Sequence, residues 1–371
     1  MPRTLSLLLL ALASAAAPCA SARAQPPSAQ NSAAAAQAGA SDDGLERGKQ
    51  MLAHGDAVGA AAVLKAAAER RKTDADAWYQ LGLALTRAGK PKEARKAFES
   101  ALKLRPDWPE ASAGIAVSLL LLDKAGDAER EARRALAADP QQADAHYVVA
   151  AVRYREEKYD DALAEAEAAL RANPDFGTAA LLAADSLLNA YLDESERQAR
   201  LYPLGPGAGK DEIRLMMEKR APALAPFKTK MRELAERLDA FAAARPNDPQ
   251  AGAWREQAET LRIYGRRPGE SAPADIYSTN EVTTKAVILF KPEPSYTEEA
   301  RQDHVSGVVR LRAVLGADGQ VRNIVAIKRL PDGLTERAVE AARKIKFTPA
   351  TVNGRPVSQF VVLEYNFNIY Y

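Results

Sequence analysis

Residues 75–108, ADAWYQLGLALTRAGKPKEARKAFESALKLRPDW, decide how most of this chain folds. One apolar stripe at helical spacing is interrupted at Gly89, and a second stripe continues to Pro106. The spacing predicts a helix, a turn and a second helix, and neither helix buries its stripe alone. The stripe residues are Trp78, Leu81, Gly82 and Leu85, followed by Ala94, Phe98 and Ala101.

The same pattern recurs along the chain at intervals of 34 residues. The chain is rich in alanine, but composition alone does not place prolines at one repeated interval. The residues resemble the tetratricopeptide repeat, a helical hairpin that stacks on its neighbours into a superhelix. We therefore expect repeats over 41–74, 75–108, 109–142 and 143–176, and a degenerate repeat from 177 to 189. The matching residues are Ala94, Ala128 and Ala162, with Pro106, Pro140 and Pro174.

Small residues in this pattern mark the places where helices approach closely. Gly82 and Ala94 are expected where the two helices of a hairpin cross, with Phe98 filling the space towards the next hairpin. A larger side chain at Gly82 or Ala94 would overpack that crossing and destabilise the protein by about 1–3 kcal/mol. Ala128 and Ala162 occupy the same position one and two repeats further along and are predicted to pack in the same way.

The first residues are typical of an export signal. Arg3 precedes an apolar run from Leu5 to Ala17, which is shorter than the roughly 20 residues that span a bilayer. Ala22-Arg23-Ala24 matches the small-x-small pattern of a signal peptidase site, so we expect 1–24 to be a cleaved signal peptide. Residues 25–40 lack apolar periodicity and are predicted to be a flexible tether.

Charge and cysteine content narrow the class of protein. After removal of 1–24 the chain keeps 49 Lys plus Arg against 49 Asp plus Glu, whereas a nucleic-acid partner would favour a basic excess. Cys19 is the only cysteine, so the processed chain would form no disulfide. These features favour a protein of the bacterial periplasm that does not bind nucleic acid.

The repeat pattern weakens after residue 189. Residues 190–265 are predicted to form an irregular loop followed by a degenerate helical hairpin, because apolar periodicity returns only from Phe227. Residues 266–284 carry prolines and glycine without periodicity and are predicted to be a linker. The fold class is therefore α+β multidomain, in which an α-helical superhelix precedes a small C-terminal domain.

In residues 285–371 the spacing of apolar residues changes from the helical period to a period of two residues. Alternating residues predict a hairpin around Gly316–Gly319, and a helix face beginning at Leu334 precedes a last alternating strand. A short helix is expected over Thr297–Asp303. The order is then helix, strand, strand, helix, strand, which predicts a small α/β sandwich with a three-stranded antiparallel sheet.

This last segment, from about Val287 to Tyr370, resembles the TonB C-terminal domain, which couples the inner membrane to outer-membrane receptors. Thr297 stands where the family usually has a second proline, and Ile345 stands where it often has tryptophan. The resemblance is carried by Pro294-Ser295-Tyr296, Ala300, Gly307, Val309, Asp318-Gly319-Gln320-Val321, Ala338, Ala342, Phe347-Thr348-Pro349-Ala350, Gly354, Pro356 and Val357.

Both resemblances imply candidate binding residues. TonB-like recognition implies that the last strand adds an extended partner peptide at its edge, although a protected strand with one buried face would show the same alternation. The candidate edge residues are Phe360, Val362, Glu364, Asn366 and Asn368. Tetratricopeptide arrays bind along a concave groove, and the groove positions here are Tyr79, Arg87, Tyr147, Tyr154, Arg155, Asp185 and Asn189.

The sequence offers no candidate for catalysis. His54, His146 and His304 are far apart in the chain, and no nucleophile is paired with a base in a recognisable motif. We therefore expect no catalytic residue, no metal site, no cofactor and no small-molecule substrate.

These observations favour a non-catalytic periplasmic adaptor whose partners are other envelope proteins, such as outer-membrane receptors or a membrane-anchored complex. Two alternatives remain open. One is a TonB-type energy transducer for outer-membrane transport, in which an uncleaved N-terminal segment anchors the chain in the inner membrane. The other is an envelope enzyme or its regulatory subunit, which predicts a polar pocket with perturbed titratable groups.

Overall fold

The structure is a computed structural model that describes residues 43–205, 207–266, 276–277, 279 and 281–368. The predicted signal peptide and tether lie outside the described residues. The chain divides after Leu187 into two compact units. We call residues 43–187 the repeat unit and residues 188–368 the C-terminal unit.

The repeat unit consists of helical hairpins, as the 34-residue period predicts. Within each hairpin the two helices pack together, and successive hairpins pack on one another. The helices are α1 (Asp43–Ala53), α2 (Ala57–Arg70), α3 (Ala75–Arg87), α4 (Pro91–Leu104), α5 (Pro109–Leu121), α6 (Ala125–Ala138), α7 (Ala143–Arg155), α8 (Tyr159–Ala172) and the start of α9 (Gly177–Leu201).

Each hairpin turns through one residue with left-handed backbone geometry. Gly55, Gly89, Asp123 and Glu157 have φ of 84°, 70°, 61° and 59°, and they lie at successive 34-residue intervals. Glycine adopts this geometry at little cost, whereas a residue with a Cβ is strained by it. The turns of the third and fourth hairpins thus keep the left-handed geometry, although they carry Asp123 and Glu157 where the first two hairpins have glycine.

The predicted small residues lie where helices meet. A Cβ built on Gly82 would approach the Phe98 ring to 2.5 Å, and one on Gly114 of the next hairpin would approach it to 2.7 Å. Phe98 is 1% exposed, so its ring fills the space between two hairpins, as predicted. The packing residues Ala94, Ala128 and Ala162 are each 0% exposed.

The structure differs from the sequence prediction after residue 189. Helix α9 continues without interruption to Leu201, where an irregular segment was expected. Its last turns are stabilised by pairs of opposite charge one turn apart, Glu194 with Arg197 and Glu196 with Arg200. Charged residues occupy these turns in place of an apolar stripe, so apolar periodicity does not reveal the helix there.

A long helical hairpin follows, formed by α10 (Lys210–Ala244) and α11 (Ala251–Gly265). Met231 and Leu238 of α10 are 0% exposed, and Trp254 of α11 is 1% exposed. The Trp254 ring lies 5.6 Å from that of Phe241. This is the predicted degenerate hairpin, although α10 begins earlier than expected and includes two prolines, Pro222 and Pro226.

The C-terminal sheet contains the predicted hairpin and last strand, joined by short strands that were not predicted. The sheet order is β1-β7-β3-β4, β6 also pairs with β7, and β2 pairs with β5 separately. The predicted sheet of three strands is thus an incomplete description. The strands are β1 (Ile276–Tyr277), β2 (Val287–Phe290), β3 (Gly307–Leu315), β4 (Val321–Lys328), β5 (Lys346–Thr348), β6 (Ala350–Val352) and β7 (Arg355–Phe367), with helices α12 (Glu298–Gln302) and α13 (Leu334–Ala342).

The two departures from the TonB pattern fit this fold. Thr297 caps α12, since its hydroxyl accepts a hydrogen bond from the Ala300 N–H at 3.2 Å and donates one to the Asp332 carbonyl at 2.6 Å. Ile345 is 5% exposed and packs in the core between the sheet and α13. Both substitutions are therefore accommodated by local contacts.

The second face of the sheet is covered by α11. Ile263 of α11, Ile276 of β1 and Val314 of β3 form one buried cluster. At β4, the Asn323 amide nitrogen Nδ2 donates to the Thr260 hydroxyl at 3.0 Å and to the Glu256 carbonyl at 3.2 Å. Part of the predicted linker is therefore ordered, because Ile276–Tyr277 forms β1 and pairs in parallel with β7.

Candidate protein-binding surfaces

The first candidate surface is the repeat groove, which includes Tyr79 and Arg87 of α3. The Tyr79 ring lies 4.6 Å from that of Trp108 and 5.7 Å from that of Phe98, and burial raises the pKa of its hydroxyl. Arg87 is partly buried, and its Nε has no hydrogen-bond partner among the described residues. Tyr79 is thus held by aromatic packing, whereas Arg87 keeps an unused donor.

A carboxylate that the sequence analysis missed lies close to these residues. Asp144, the second residue of α7, interacts electrostatically with both Tyr79 and Arg87. Burial raises the pKa of Asp144 to about 6, and the Arg87 charge opposes that rise. Asp144 occupies the same repeat position as Glu110 of α5 and Asp76 of α3, so the 34-residue period could have identified it.

The three predicted groove residues of α7 differ in their surroundings. Tyr147 is 1% exposed, with its ring 5.2 Å from that of Phe176, so it belongs to the core rather than to the groove surface. Tyr154 is partly buried against the Tyr159 ring at 5.4 Å. Arg155 donates to the Asp123 carboxylate at 2.9 Å, which links α7 to the turn after α5.

The last two predicted groove residues lie on α9. Asp185 and Asn189 are both partly buried. They lie one helical turn apart, so their side chains project from the same side of the helix. Asp185 belongs to the repeat unit, whereas Asn189 follows the division of the chain and belongs to the C-terminal unit.

The second candidate surface is the edge of β7. Residues Gln359–Phe367 pair with β3 on one side, and β1 pairs with Ser358 and Gln359 on the other. Among the described residues, no strand pairs with this second side from 360 to 367. The Lys291 ammonium donates to the Glu364 carbonyl at 2.5 Å, and the edge otherwise presents backbone groups of the kind that an added strand could bond.

The five predicted edge residues are not equally available. Phe360 packs against the buried cluster of Ile263, Ile276 and Val314, so it is not a free edge side chain. Val362 is 57% exposed, and Asn366 and Asn368 are also exposed. Glu364 accepts a charged hydrogen bond from Arg310 of β3 at 2.7 Å.

An apolar segment beside this edge was not predicted as a binding feature. All four residues of β2, Val287–Phe290, are exposed although all are large and hydrophobic. In the sequence they are a plain apolar run, and such runs are more often buried than exposed. Only the structure shows that neither face of β2 is covered.

The described residues contain no cluster of three or more His, Cys, Asp or Glu side chains that could hold a metal ion. The His146 Nδ1 lies 2.6 Å from a Glu165 carboxylate oxygen, and its Nε2 lies 3.0 Å from the Pro140 carbonyl, so the ring joins two helices and a loop. Within the described ranges, none of the helices combines the length and hydrophobicity needed to cross a bilayer.

Comparison with protein families identifies both modules. Residues 75–108 and 113–175 match the tetratricopeptide repeat, and residues 292–369 match the family described as Gram-negative bacterial TonB protein C-terminal. The chain therefore contains tetratricopeptide repeats and a TonB C-terminal domain, as the sequence predicted. No curated protein sequence matches the chain significantly.

Several solved structures are similar to about half of the chain. A crystal structure of MamA protein is 19% identical, with 46% of this chain and 99% of that chain covered and a TM-score of 0.35. MamA from Desulfovibrio magneticus is 21% identical, with coverages of 48% and 93% and a TM-score of 0.35. A thermophilic TPR protein in Thermus thermophilus is 18% identical, with coverages of 50% and 98% and a TM-score of 0.37.

Proposed function

We propose that this chain is a non-catalytic adaptor of the periplasm that binds one envelope protein through its repeat groove and another through its TonB C-terminal domain. Tetratricopeptide repeats and the TonB C-terminal domain are both protein-interaction modules. The observation that carries the proposal is the open edge of β7 in a chain that also contains a repeat groove. Each unit thus offers a surface of a different kind.

The groove suits a partner that supplies hydrogen-bond acceptors. Arg87 has a buried Nε donor without a partner among the described residues, and a carboxylate or carbonyl of the partner would satisfy it. Asp144 beside it favours partners that also offer a donor. The groove therefore favours a polar peptide or protein surface over an apolar one.

The edge of β7 suits an extended peptide. Main-chain hydrogen bonds to the unpaired groups of residues 360–367 would supply affinity, and side-chain contacts would supply specificity. Outer-membrane receptors and a membrane-anchored complex are the envelope partners that the TonB resemblance implies.

The test is affinity purification with the full-length protein from a Gram-negative periplasm. Arg87→Glu should remove the partners bound by the groove, and Val362→Asp should remove a different set bound by the edge. Lys65→Glu and Ile327→Asp change other exposed residues of the two units and serve as matched controls. Loss of the same partners in both test variants, or of none, would contradict two separate binding surfaces.

The periplasmic location has its own test. Mass spectrometry of the exported protein should find a mature N-terminus at Gln25, the residue after the predicted cleavage site. A chain that keeps residues 1–24 and sediments with the inner membrane would instead favour a TonB-type transducer anchored by its N-terminal segment.

A further inference from the structure

The strand β2 is exposed in an unusual way for an apolar segment. Val287, Ile288, Leu289 and Phe290 are 53%, 39%, 68% and 56% exposed. In an ordinary surface strand alternate side chains are buried, because successive side chains point to opposite faces. Contiguous exposed apolar residues mark binding surfaces or carry a risk of aggregation.

The strand β2 lies alongside the open edge of β7. At one end, the Ala286 N–H donates to the side-chain oxygen of Gln359 at 2.7 Å. At the other end, the Lys291 ammonium donates to the Glu364 carbonyl at 2.5 Å and lies 4.5 Å from the centre of the Tyr365 ring. Residues 286–291 and residues 359–364 therefore run in the same direction, so β2 lies along the edge of β7. The backbone hydrogen bonds of β2 are made with β5 instead.

The side of β7 on which β2 lies follows from strand geometry. Gln359 and Tyr365 are an even number of residues apart, so their side chains point to the same face of β7. Both are buried, and that face packs against α13. A strand added at the edge would therefore direct alternate side chains towards β2.

Positive charge surrounds this apolar strand. Lys285 and Lys291 flank β2, and Lys344 and Lys346 lie in and beside its partner strand β5. All four are exposed, and none pairs with a carboxylate among the described residues. The nearby Glu364 is already paired with Arg310. The four lysines therefore carry positive charge that the carboxylates of a partner could neutralise.

We propose that β2 and the open edge of β7 form one docking surface for an extended segment of a partner protein, with apolar residues at alternate positions and acidic residues flanking them. The inference rests on strand addition at β7, which is part of the proposed function. The partner's main chain bonds backbone groups of residues 360–367 and replaces the Lys291 ammonium at the Glu364 carbonyl. Its apolar side chains cover one face of β2, and its carboxylates pair with the lysines.

Apolar residues flanked by lysines also suit an anionic lipid surface. The unpaired backbone groups of β7 distinguish the two occupants. A peptide strand satisfies these groups with hydrogen bonds, whereas lipid chains leave them unsatisfied at a cost of about 1–3 kcal/mol each. The edge therefore favours the peptide.

The experiment selects decapeptides from an unbiased phage-displayed library on the full-length protein and measures one synthesised binder by fluorescence anisotropy. Selected sequences should alternate apolar residues and carry flanking Asp or Glu. Leu289→Glu and Val362→Asp should each weaken the binder by about tenfold or more. Ile327→Glu, a change at an exposed apolar residue of β4, should leave affinity unchanged.

The possible failures are distinguishable. A binder that Val362→Asp weakens but Leu289→Glu does not, selected without acidic residues, would overturn this inference and leave strand addition at β7 intact. A selection that yields no peptide sensitive to Val362→Asp would overturn strand addition itself. If vesicles of phosphatidylglycerol and phosphatidylcholine bind the protein through Leu289 and no peptide does, the surface binds lipid and the inference is wrong.

Discussion

The ring of Phe98 is held between two glycines from successive hairpins, Gly82 and Gly114. We expect Gly114→Ala to destabilise the repeat unit by about 1–3 kcal/mol, because the new Cβ would overlap the ring. The repeat array opens locally, so hydrogen exchange of amides in α3 to α5 is the suitable measurement.

A matched control exists for this substitution. Gly126 lies in α6 and has no atom within 4 Å of a built Cβ. Gly126→Ala should stabilise its helix by about 0.5–1 kcal/mol, because alanine has the higher helix propensity. If both alanine variants lost stability equally, contact with Phe98 would not be the cause.

Asp144 should make stability depend on pH. Burial raises its pKa in the folded protein from 3.8 to about 6, so the folded state binds more protons than the unfolded state between these values. The contribution of Asp144 to stability therefore falls as pH rises from about 4 to about 6 and is level above that range.

The asparagine variant isolates this effect. The free energy of unfolding of Asp144→Asn, relative to wild type, should rise by up to about 3 kcal/mol between pH 4 and pH 7. Urea unfolding of both proteins at several pH values measures the difference. A difference that does not change with pH would show that the Asp144 carboxyl titrates normally.

Glu157, like Asp123, forms the turn of its hairpin in a backbone geometry that strains a residue with a Cβ. Its φ is 59°, and the same position is glycine in the first two hairpins. We expect Glu157→Gly to stabilise the repeat unit by about 1 kcal/mol, since glycine adopts left-handed geometry freely. Hydrogen exchange at the start of α8 measures the gain, and a loss of protection there would contradict it.

The contact between α11 and β4 depends on Asn323, whose φ is 51°. Asn323→Gly keeps the backbone geometry and removes the side-chain hydrogen bonds to Thr260 and Glu256. The free energy of local opening of α11, measured by hydrogen exchange, should therefore fall by about 1–2 kcal/mol. Asn323→Ala should lose about 1 kcal/mol more, because it adds backbone strain. Equal exchange rates in α11 for wild type and Asn323→Gly would contradict a stabilising contact.

The sequence predicts those elements whose apolar residues are periodic. The hairpins from 75 to 176 and the strands β3, β4 and β7 follow from spacing alone. The last turns of α9 do not, because charged residues such as Glu194 and Arg197 occupy them in place of an apolar stripe. The short strand β1 cannot be predicted from spacing either, because a strand of two residues shows no periodicity.

The residues of the candidate surfaces are also only partly predictable from spacing. Spacing predicts a groove position for Arg87 and an exposed position for Val362, but Tyr147 is buried because its ring packs against Phe176. Phe360 is likewise covered by the cluster around Ile263 and Ile276. Such contacts join residues far apart in sequence, so the period within one element cannot reveal them.

Over the entire chain, the C-terminal unit includes more than the TonB C-terminal domain. Helix α11 covers one face of the sheet, strand β1 extends the sheet beside β7, and Arg343 pairs with Glu256 of α11 at 3.3 Å. Removing all residues after Thr284 would therefore expose the face of α11 that carries Ile263, and binding experiments require substitutions in the full-length protein instead.

Photocrosslinking from two positions of the full-length protein tests the adaptor proposal most directly. A benzophenone amino acid replaces Arg87 in the groove in one protein and Val362 at the strand edge in the other, and crosslinked periplasmic proteins are identified by mass spectrometry. An adaptor with two separate binding surfaces should give two different sets of partners, one from each position. A single shared set, or crosslinks from only one position, would contradict an adaptor with two separate binding surfaces.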